Sequence, residues 1–204
     1  MKLLRLLTKP LMLGIYGFAL TTFLIMLGIQ TLAPKQSAAP AAVPTIGALV
    51  ERSFDAPAVT LLTPSTWPQP VVLDTNTVIL SPTGSTDMTP TAGPFMVITT
   101  DALTVFSQRY TLRTNYADPE QQLDALVTTF NRDAPGFKPA TPYDGARYPG
   151  AMTVGYERAN KLVIILLDAG EKGWIYIGLQ APEADFDVYD STVFQPIARS
   201  LLVN

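Results

Sequence analysis

The chain of 204 residues contains no cysteine and no histidine. Without thiols it has no disulfide, no cysteine that could carry a lipid and no ligand for an iron–sulfur cluster. Without imidazole it has no Ser/His/Asp or Cys/His nucleophilic machinery, and no histidine-bound zinc or haem. The composition therefore argues against the common nucleophilic and metal-dependent enzymes, and any exported domain must be held together by its core alone.

Charge is missing from one long stretch near the start, Leu11 to Ile29, which is strongly apolar. Nineteen helical residues span about 28 Å, close to the ~30 Å hydrocarbon core of a bilayer. Lys2, Arg5 and Lys9 precede the stretch and favour a cytoplasmic tail. We therefore expect a cytoplasmic tail over residues 1–10, a single transmembrane anchor over residues 11–32, and the rest of the chain on the opposite face of the membrane.

A cleaved signal peptide is the alternative for this region, because Ser37, Ala38 and Ala39 offer the small residues that a signal peptidase requires. The apolar stretch is longer than the 7 to 15 residues typical of a signal peptide, which favours a retained anchor. Both interpretations place the remainder of the chain outside the cytoplasm, in the periplasm, the extracellular space or a thylakoid lumen.

The stretch after the anchor is rich in proline and alanine, reading APKQSAAPAAVP from Ala33 to Pro44. Such a composition is typical of an extended spacer, so we expect a linker over residues 33–57 and one folded domain over residues 58–204. Short strands are predicted at four places in the first half of that domain: Ala58–Leu62, Val71–Leu73, Thr77–Leu80 and Phe95–Thr99. The polar stretch Ser81–Pro94 reads as a long loop.

The second half of the domain has stronger signals. Asp118 and Pro119 begin an amphipathic helix with apolar residues at Leu123, Leu126, Val127 and Phe130. Three strands follow at 152–158, 162–167 and 174–179, and a second helix is expected from Ser191 or Thr192. The middle strand, LVIILL, lacks polar alternation and should be covered on both faces. The predicted architecture is an α+β fold, an α/β/α sandwich on a mostly antiparallel sheet.

Charge also limits the partners of the exported part. From Gln36 onward it has ten Lys and Arg against seventeen Asp and Glu, a formal charge of −7. A nucleic-acid partner is therefore disfavoured. Four acids gather before the last helix and offer a weak candidate for a hard cation such as calcium, although the helix dipole alone favours acids at that position. They are Glu183, Asp185, Asp187 and Asp190.

Interface residues can be proposed from composition. Tyrosine, tryptophan and arginine are enriched where proteins bind one another. In the anchor, small residues would let another membrane helix approach closely. The candidates are Trp67, Tyr143, Arg147 and Tyr148 in the domain, and Gly14, Gly17 and Thr21 in the anchor.

The order of elements, together with the final segment GWIYIGLQAPEADFDVYDSTVFQPIARSLLV, resembles a PsbP-like domain over about Ala58–Asn204. That family is named after the extrinsic subunit of the photosystem II oxygen-evolving complex. The resemblance implies an α/β/α accessory or assembly subunit without enzyme activity and without a cofactor, and it raises a photosynthetic context. It carries no site residues over to this chain.

The leading hypothesis is a single-pass accessory subunit whose partners are integral membrane proteins of a larger complex. One alternative is a binding module for a small molecule or lipid, with Ser81–Pro94 as a flap over an apolar pocket. A second alternative is a hydrolase that uses a carboxylate pair assembled in space.

Overall fold

The computed structural model describes residues 46–89, 93–108, 110, 116–130 and 136–204. Within these ranges no helix combines the length and the apolar character needed to cross a bilayer. The anchor predicted at residues 11–29 lies outside the described residues and stays a prediction.

The described part of the chain forms two antiparallel sheets and several short helices. In chain order the elements are β1 (Leu49–Asp55), β2 (Ala58–Pro64), β3 (Val71–Val72), β4 (Thr77–Leu80), β5 (Phe95–Thr99), α1 (Ala102–Ser107), α2 (Pro119–Phe130), β6 (Thr141–Tyr143), β7 (Gly150–Glu157), β8 (Asn160–Asp168), a 3₁₀ turn (Gly170–Lys172), β9 (Trp174–Pro182), α3 (Phe186–Tyr189), a π-helical turn (Asp190–Phe194), α4 (Gln195–Ser200) and β10 (Leu202–Val203).

The larger sheet has seven strands in the order β3-β4-β5-β9-β8-β7-β6, every neighbouring pair being antiparallel. β8 lies inside this sheet, and its residues 162–167 are all buried. Val163 and Ile165 pack on one face, and Ile164 and Leu166 pack on the other. The expectation of a strand covered on both sides is confirmed, and the fold is a mixed α+β architecture built on antiparallel sheets.

Helices α1 and α2 cover one face of the large sheet. Phe106, Leu123 and Leu126 are almost completely buried there. The helix α2 begins as predicted, because the side chain of Asp118 accepts a hydrogen bond from the N–H of Glu120 at 2.9 Å. This side is called the helix face below.

The opposite face is covered by the C-terminal helical segment, residues 186–200, together with a three-stranded sheet in the order β1-β2-β10. Val59, Leu61 and Val203 of the small sheet share one core cluster with Phe194 and Ile197 of the helical segment. The sandwich therefore has a second, smaller sheet that the sequence pattern did not predict.

Two boundaries differ from expectation. β1 lies inside residues 33–57, the range expected to be linker, because it pairs with all seven residues of β2. The final helical segment begins at Phe186, five residues before the expected start at Ser191. The π-helical turn then widens the backbone directly before Pro196, where an α-helical backbone would place a carbonyl against the proline ring.

Candidate interaction site

Residues 144–149 connect β6 to β7, and a tyrosine holds each end of this loop. The hydroxyl of Tyr143 donates a hydrogen bond to Oε1 of Gln195 at 2.6 Å. The hydroxyl of Tyr148 accepts a hydrogen bond from the backbone N–H of Val203 at 3.1 Å. Both partners belong to the C-terminal part of the chain, so the loop is fixed at two points. We call residues 144–149 the clamped loop.

Glycine at position 145 allows the loop to pass close to the ring of Tyr143. A Cβ atom at Gly145 would lie 3.0 Å from both Cζ and the hydroxyl oxygen of Tyr143. Tyr143 is only 6 % exposed and packs in the same core cluster as the C-terminal helical segment. Its ring therefore has little room to move away from a larger neighbour.

Gln195 links Tyr143 to the half-buried carboxylate of Asp190. While its Oε1 accepts from Tyr143, its Nε2 donates to Oδ1 of Asp190 at 3.1 Å. Burial raises the pKa of Asp190; the hydrogen bond from Gln195 and the positive charges of Lys161 and Arg199 oppose that rise in part. Burial also raises the pKa of Tyr143, so its hydroxyl stays protonated as a donor at neutral pH.

The π-helical turn accounts for the pairing of Asp190 with Gln195. Residues five apart lie about 140° apart around a regular α-helix, because each residue turns the helix by about 100°. A π-helix forms i→i+5 hydrogen bonds and brings such residues to the same side. The turn begins at Asp190 and ends directly before Gln195, so both side chains reach the same end of β6.

Arg147 is an exposed cationic residue of the clamped loop. It forms no hydrogen bond or ion pair with the residues that the structure describes. Asp144 is exposed in the same loop, and Arg199 lies beside Tyr143 at the base of the loop. An exposed arginine on a fixed loop suits recognition by another protein, because little backbone freedom is lost when the loop binds.

The remaining interface candidates do not lie on the described surface of the domain. Trp67 is 5 % exposed and belongs to the core beneath the C-terminal helical segment, and its indole N–H has no acceptor among the described residues. Trp67 therefore does not contribute to a surface. The anchor residues Gly14, Gly17 and Thr21 lie outside the described residues.

The four acidic residues before the last helix do not point to one centre. Glu183 and Asp187 are exposed, whereas Asp185 is 7 % exposed. Asp187 forms an ion pair with Lys161 at 3.0 Å, and Asp190 accepts from Gln195. Across the described ranges no group of three His, Cys, Asp or Glu side chains is arranged to hold a metal ion.

The loop expected to act as a flap is attached to the helix face in its described part. Met88 is 5 % exposed and belongs to the helix-face core. Gln180 of β9 is fully buried, and its Nε2 donates to the carbonyl oxygens of Thr89 at 3.0 Å and Gly93 at 3.4 Å. This anchoring gives no support to a ligand-binding flap.

The sequence identified Tyr143 and Tyr148 as candidates, but not Gln195 and Asp190 as the supports of Tyr143 or Val203 as the partner of Tyr148. Tyr143 and Gln195 are 52 positions apart, and no local pattern connects them. The separation of five between Asp190 and Gln195 does not suggest a pair unless the π-helical turn is known. The proline at position 196 was the one available signal that the helix is irregular at this point.

No protein-family model matches the sequence, and no curated protein matches it. Among solved structures the chain is similar to cyanobacterial PsbP (CyanoP) from Synechocystis sp. PCC 6803. The identity is 13 %, the likeness covers 84 % of this chain and 100 % of that chain, and the TM-score is 0.50. The chain therefore shares the PsbP fold, as the resemblance in its sequence implied.

Two further solved structures are similar at lower TM-scores. The Ran-binding protein Mog1p from Saccharomyces cerevisiae is 8 % identical, with 77 % of this chain and 96 % of that chain covered and a TM-score of 0.46. LpqN, involved in cell envelope biogenesis of Mycobacterium tuberculosis, is 11 % identical, with 85 % and 87 % covered and a TM-score of 0.34.

Proposed function

We propose that this chain is a non-enzymatic accessory or assembly subunit of a membrane protein complex. In this proposal residues 11–29 anchor it as a single-pass protein in a bacterial cell membrane, with the N-terminus in the cytoplasm. The folded domain then docks on the extracytoplasmic face of the complex, which is periplasmic or extracellular, or the lumen in a thylakoid. The integral membrane subunits of that complex are the partners.

The observation that carries the docking role is the geometry of the clamped loop. Tyr143 and Tyr148 fix its ends, and Arg147 stands exposed between them without a partner in the described part of the chain. The PsbP fold supports the proposal, because the PsbP-like family is named after an extrinsic accessory subunit of photosystem II. A photosynthetic complex is accordingly one candidate for the assembly.

The proposal can be tested by purifying the full chain from its native membrane in a mild detergent. We expect it to elute with larger membrane subunits. The variant Arg147→Ala should retain its fold and recover at least about tenfold less partner, since truncation of an arginine hot spot costs about 2 kcal/mol or more. The variant Arg52→Ala makes the same substitution in the small sheet, where it also removes the hydrogen bond from Nε of Arg52 to Oγ1 of Thr63 at 2.9 Å, and serves as the control.

A second variant tests the anchor as a contact surface. Replacing residues 11–29 by an unrelated apolar span of equal length should weaken co-purification if Gly14, Gly17 and Thr21 pack against another helix. Unchanged co-purification would reduce the anchor to a tether. A wild-type chain that elutes alone as a monomer would show that the accessory role is wrong.

A further inference from the structure

The hairpin between β7 and β8 ends in a two-residue turn, Arg158 and Ala159, between the paired residues Glu157 and Asn160. Arg158 has φ of 54°, in the left-handed region. Residues other than glycine adopt this region rarely, and asparagine and aspartate are the usual exceptions. The chain thus places a long cationic side chain where glycine would be unstrained, and backbone strain of this kind concentrates at functional sites.

An exposed aromatic ring lies two residues before this turn. Tyr156 is 42 % exposed, and Nζ of Lys138 lies 6.0 Å from the centroid of its ring. The segment that carries Lys138 is fixed along β7, because the N–H of Lys138 donates to the carbonyl of Val154 at 2.9 Å. We call Lys138, Tyr156 and Arg158 the hairpin-tip patch.

Neither Lys138 nor Arg158 forms an ion pair with the residues that the structure describes. Glu157 adjoins Arg158 in sequence; burial raises the pKa of Glu157, and the positive charge of Arg158 lowers it in part.

Two further acidic residues lie near the hairpin tip. Asp187 is already paired with Lys161, the residue opposite Tyr156 in the β7–β8 pair. Glu183 is an exposed acid near the turn, where its backbone N–H donates to the carbonyl of Ala159.

We propose that the hairpin-tip patch binds a carboxylate-bearing segment of a partner protein. A guanidinium group pairs with a carboxylate through two parallel hydrogen bonds, and tyrosine supplies rigid contact area beside it. The exported part carries a formal charge of −7. A flat anionic bilayer would be repelled by the acidic surface around the patch, whereas a narrow acidic segment can contact the patch alone. This proposal does not depend on the clamped loop or on the accessory role.

The test uses the full chain in a neutral detergent at low ionic strength, with a dye-labelled peptide of ten glutamates as the probe and a peptide of ten glutamines as the neutral control. Fluorescence anisotropy should show binding of the glutamate peptide only. Arg158→Gly and Tyr156→Ala should each weaken that binding about five- to tenfold, whereas Arg158→Lys should weaken it less. Arg52→Gln should bind like the wild type.

The glycine variant separates binding from folding. Arg158→Gly relieves the left-handed backbone, so its Tm should be equal to or higher than that of the wild type while its binding falls. Glutamate-peptide binding that is absent, or that Arg158→Gly leaves unchanged, would overturn the proposal. Competition distinguishes a lipid surface from a peptide. If micelles containing phosphatidylglycerol displace the labelled peptide at a lower concentration of negative charge than unlabelled glutamate peptide does, the patch binds an anionic lipid surface. That result would also overturn the proposal.

Discussion

At the scale of single residues, Tyr143 and Gln195 determine where the clamped loop lies. The hydroxyl of Tyr143 donates a hydrogen bond to Oε1 of Gln195, and Nε2 of the same amide donates to Asp190. A side chain that is bonded at both ends of its amide has a defined orientation, and this orientation is passed on to the ring of Tyr143. The position of Arg147 therefore depends on residues with which it forms no hydrogen bond.

Replacing Tyr143 by phenylalanine tests this dependence. The variant keeps the buried ring but leaves Oε1 of Gln195 without its donor, so we expect a loss of about 1 kcal/mol in the free energy of unfolding. For a domain of this size the Tm should fall by about 2–4 °C. Tyr156→Phe, which removes an exposed hydroxyl, is the control. Equal Tm values for the two variants would show that the bond to Gln195 contributes nothing.

Glu157 makes the stability of the domain depend on pH. Burial raises its pKa, so the folded state binds this proton more tightly than the unfolded state, whose glutamate pKa is about 4.3. The contribution to stability is present below about pH 4.3 and is lost as the pH rises through the folded pKa. We expect Glu157→Gln to be more stable than the wild type at pH 7, and the difference to vanish near pH 4. Chemical denaturation across this range measures it, and a constant difference would contradict it.

At the scale of elements, the strands with apolar interiors could be predicted and the charged or very short elements could not. β4 and β5 have the predicted bounds, because both are continuous apolar runs between proline, glycine and polar residues. β1 was missed since its apolar residues are interrupted by Glu51, Arg52 and Asp55. Helix α1 has six residues and no side-chain cap, so it left no starting signal.

The capping of α2 was predicted in part. Asp118 caps the helix as its sequence position indicates. The amide that reaches back belongs to Gln122, whose Oε1 accepts from the N–H of Tyr116 at 3.4 Å, and not to Gln121 as a regular capping box would require. Spacing alone does not distinguish two adjacent glutamines, because burial of Gln122 against the helix face decides which one turns inward.

The loop between β4 and β5 offers a prediction at this scale. Gln180→Leu removes two hydrogen bonds to the loop and also removes Oε1 of Gln180, a buried acceptor that has no donor among the described residues. Because these effects oppose each other, the global free energy of unfolding should change by less than about 1 kcal/mol. Limited proteolysis within residues 81–94 should nevertheless become faster. Cleavage at the wild-type rate would show that Met88 alone holds the loop.

At the scale of the whole molecule, the last three residues connect the two sheets. Val203 is buried, and its N–H and C=O bond to the hydroxyl of Tyr148 and to Nζ of Lys172, the latter at 2.7 Å. The N–H of Asn204 donates to the carbonyl of Ala58 at 2.8 Å. The LVIILL strand predicted that both faces of the large sheet are covered. Nothing in the sequence predicted that the two-residue strand β10 forms one edge of the small sheet.

Removing Leu202, Val203 and Asn204 should cost about 2–4 kcal/mol, mainly through the lost burial of valine. Hydrogen exchange should accelerate in β1 and β2 more than in β8. Removing Asn204 alone is the matched control, because it leaves the contacts of Val203 in place. Uniform acceleration across both sheets would mean that the sandwich unfolds as a single cooperative unit.

The registers of the small sheet also determine how the domain would carry a mechanical load. A chain that pulls from the N-terminal side enters at Leu49, opposite Pro64, whereas the clamped loop is attached at Val203, opposite Val59 at the other end of β2. In the proposed arrangement, tension between the anchor and a docked loop would slide β1 along β2 instead of peeling it away. All seven paired positions of β1 and β2 would resist such a load together.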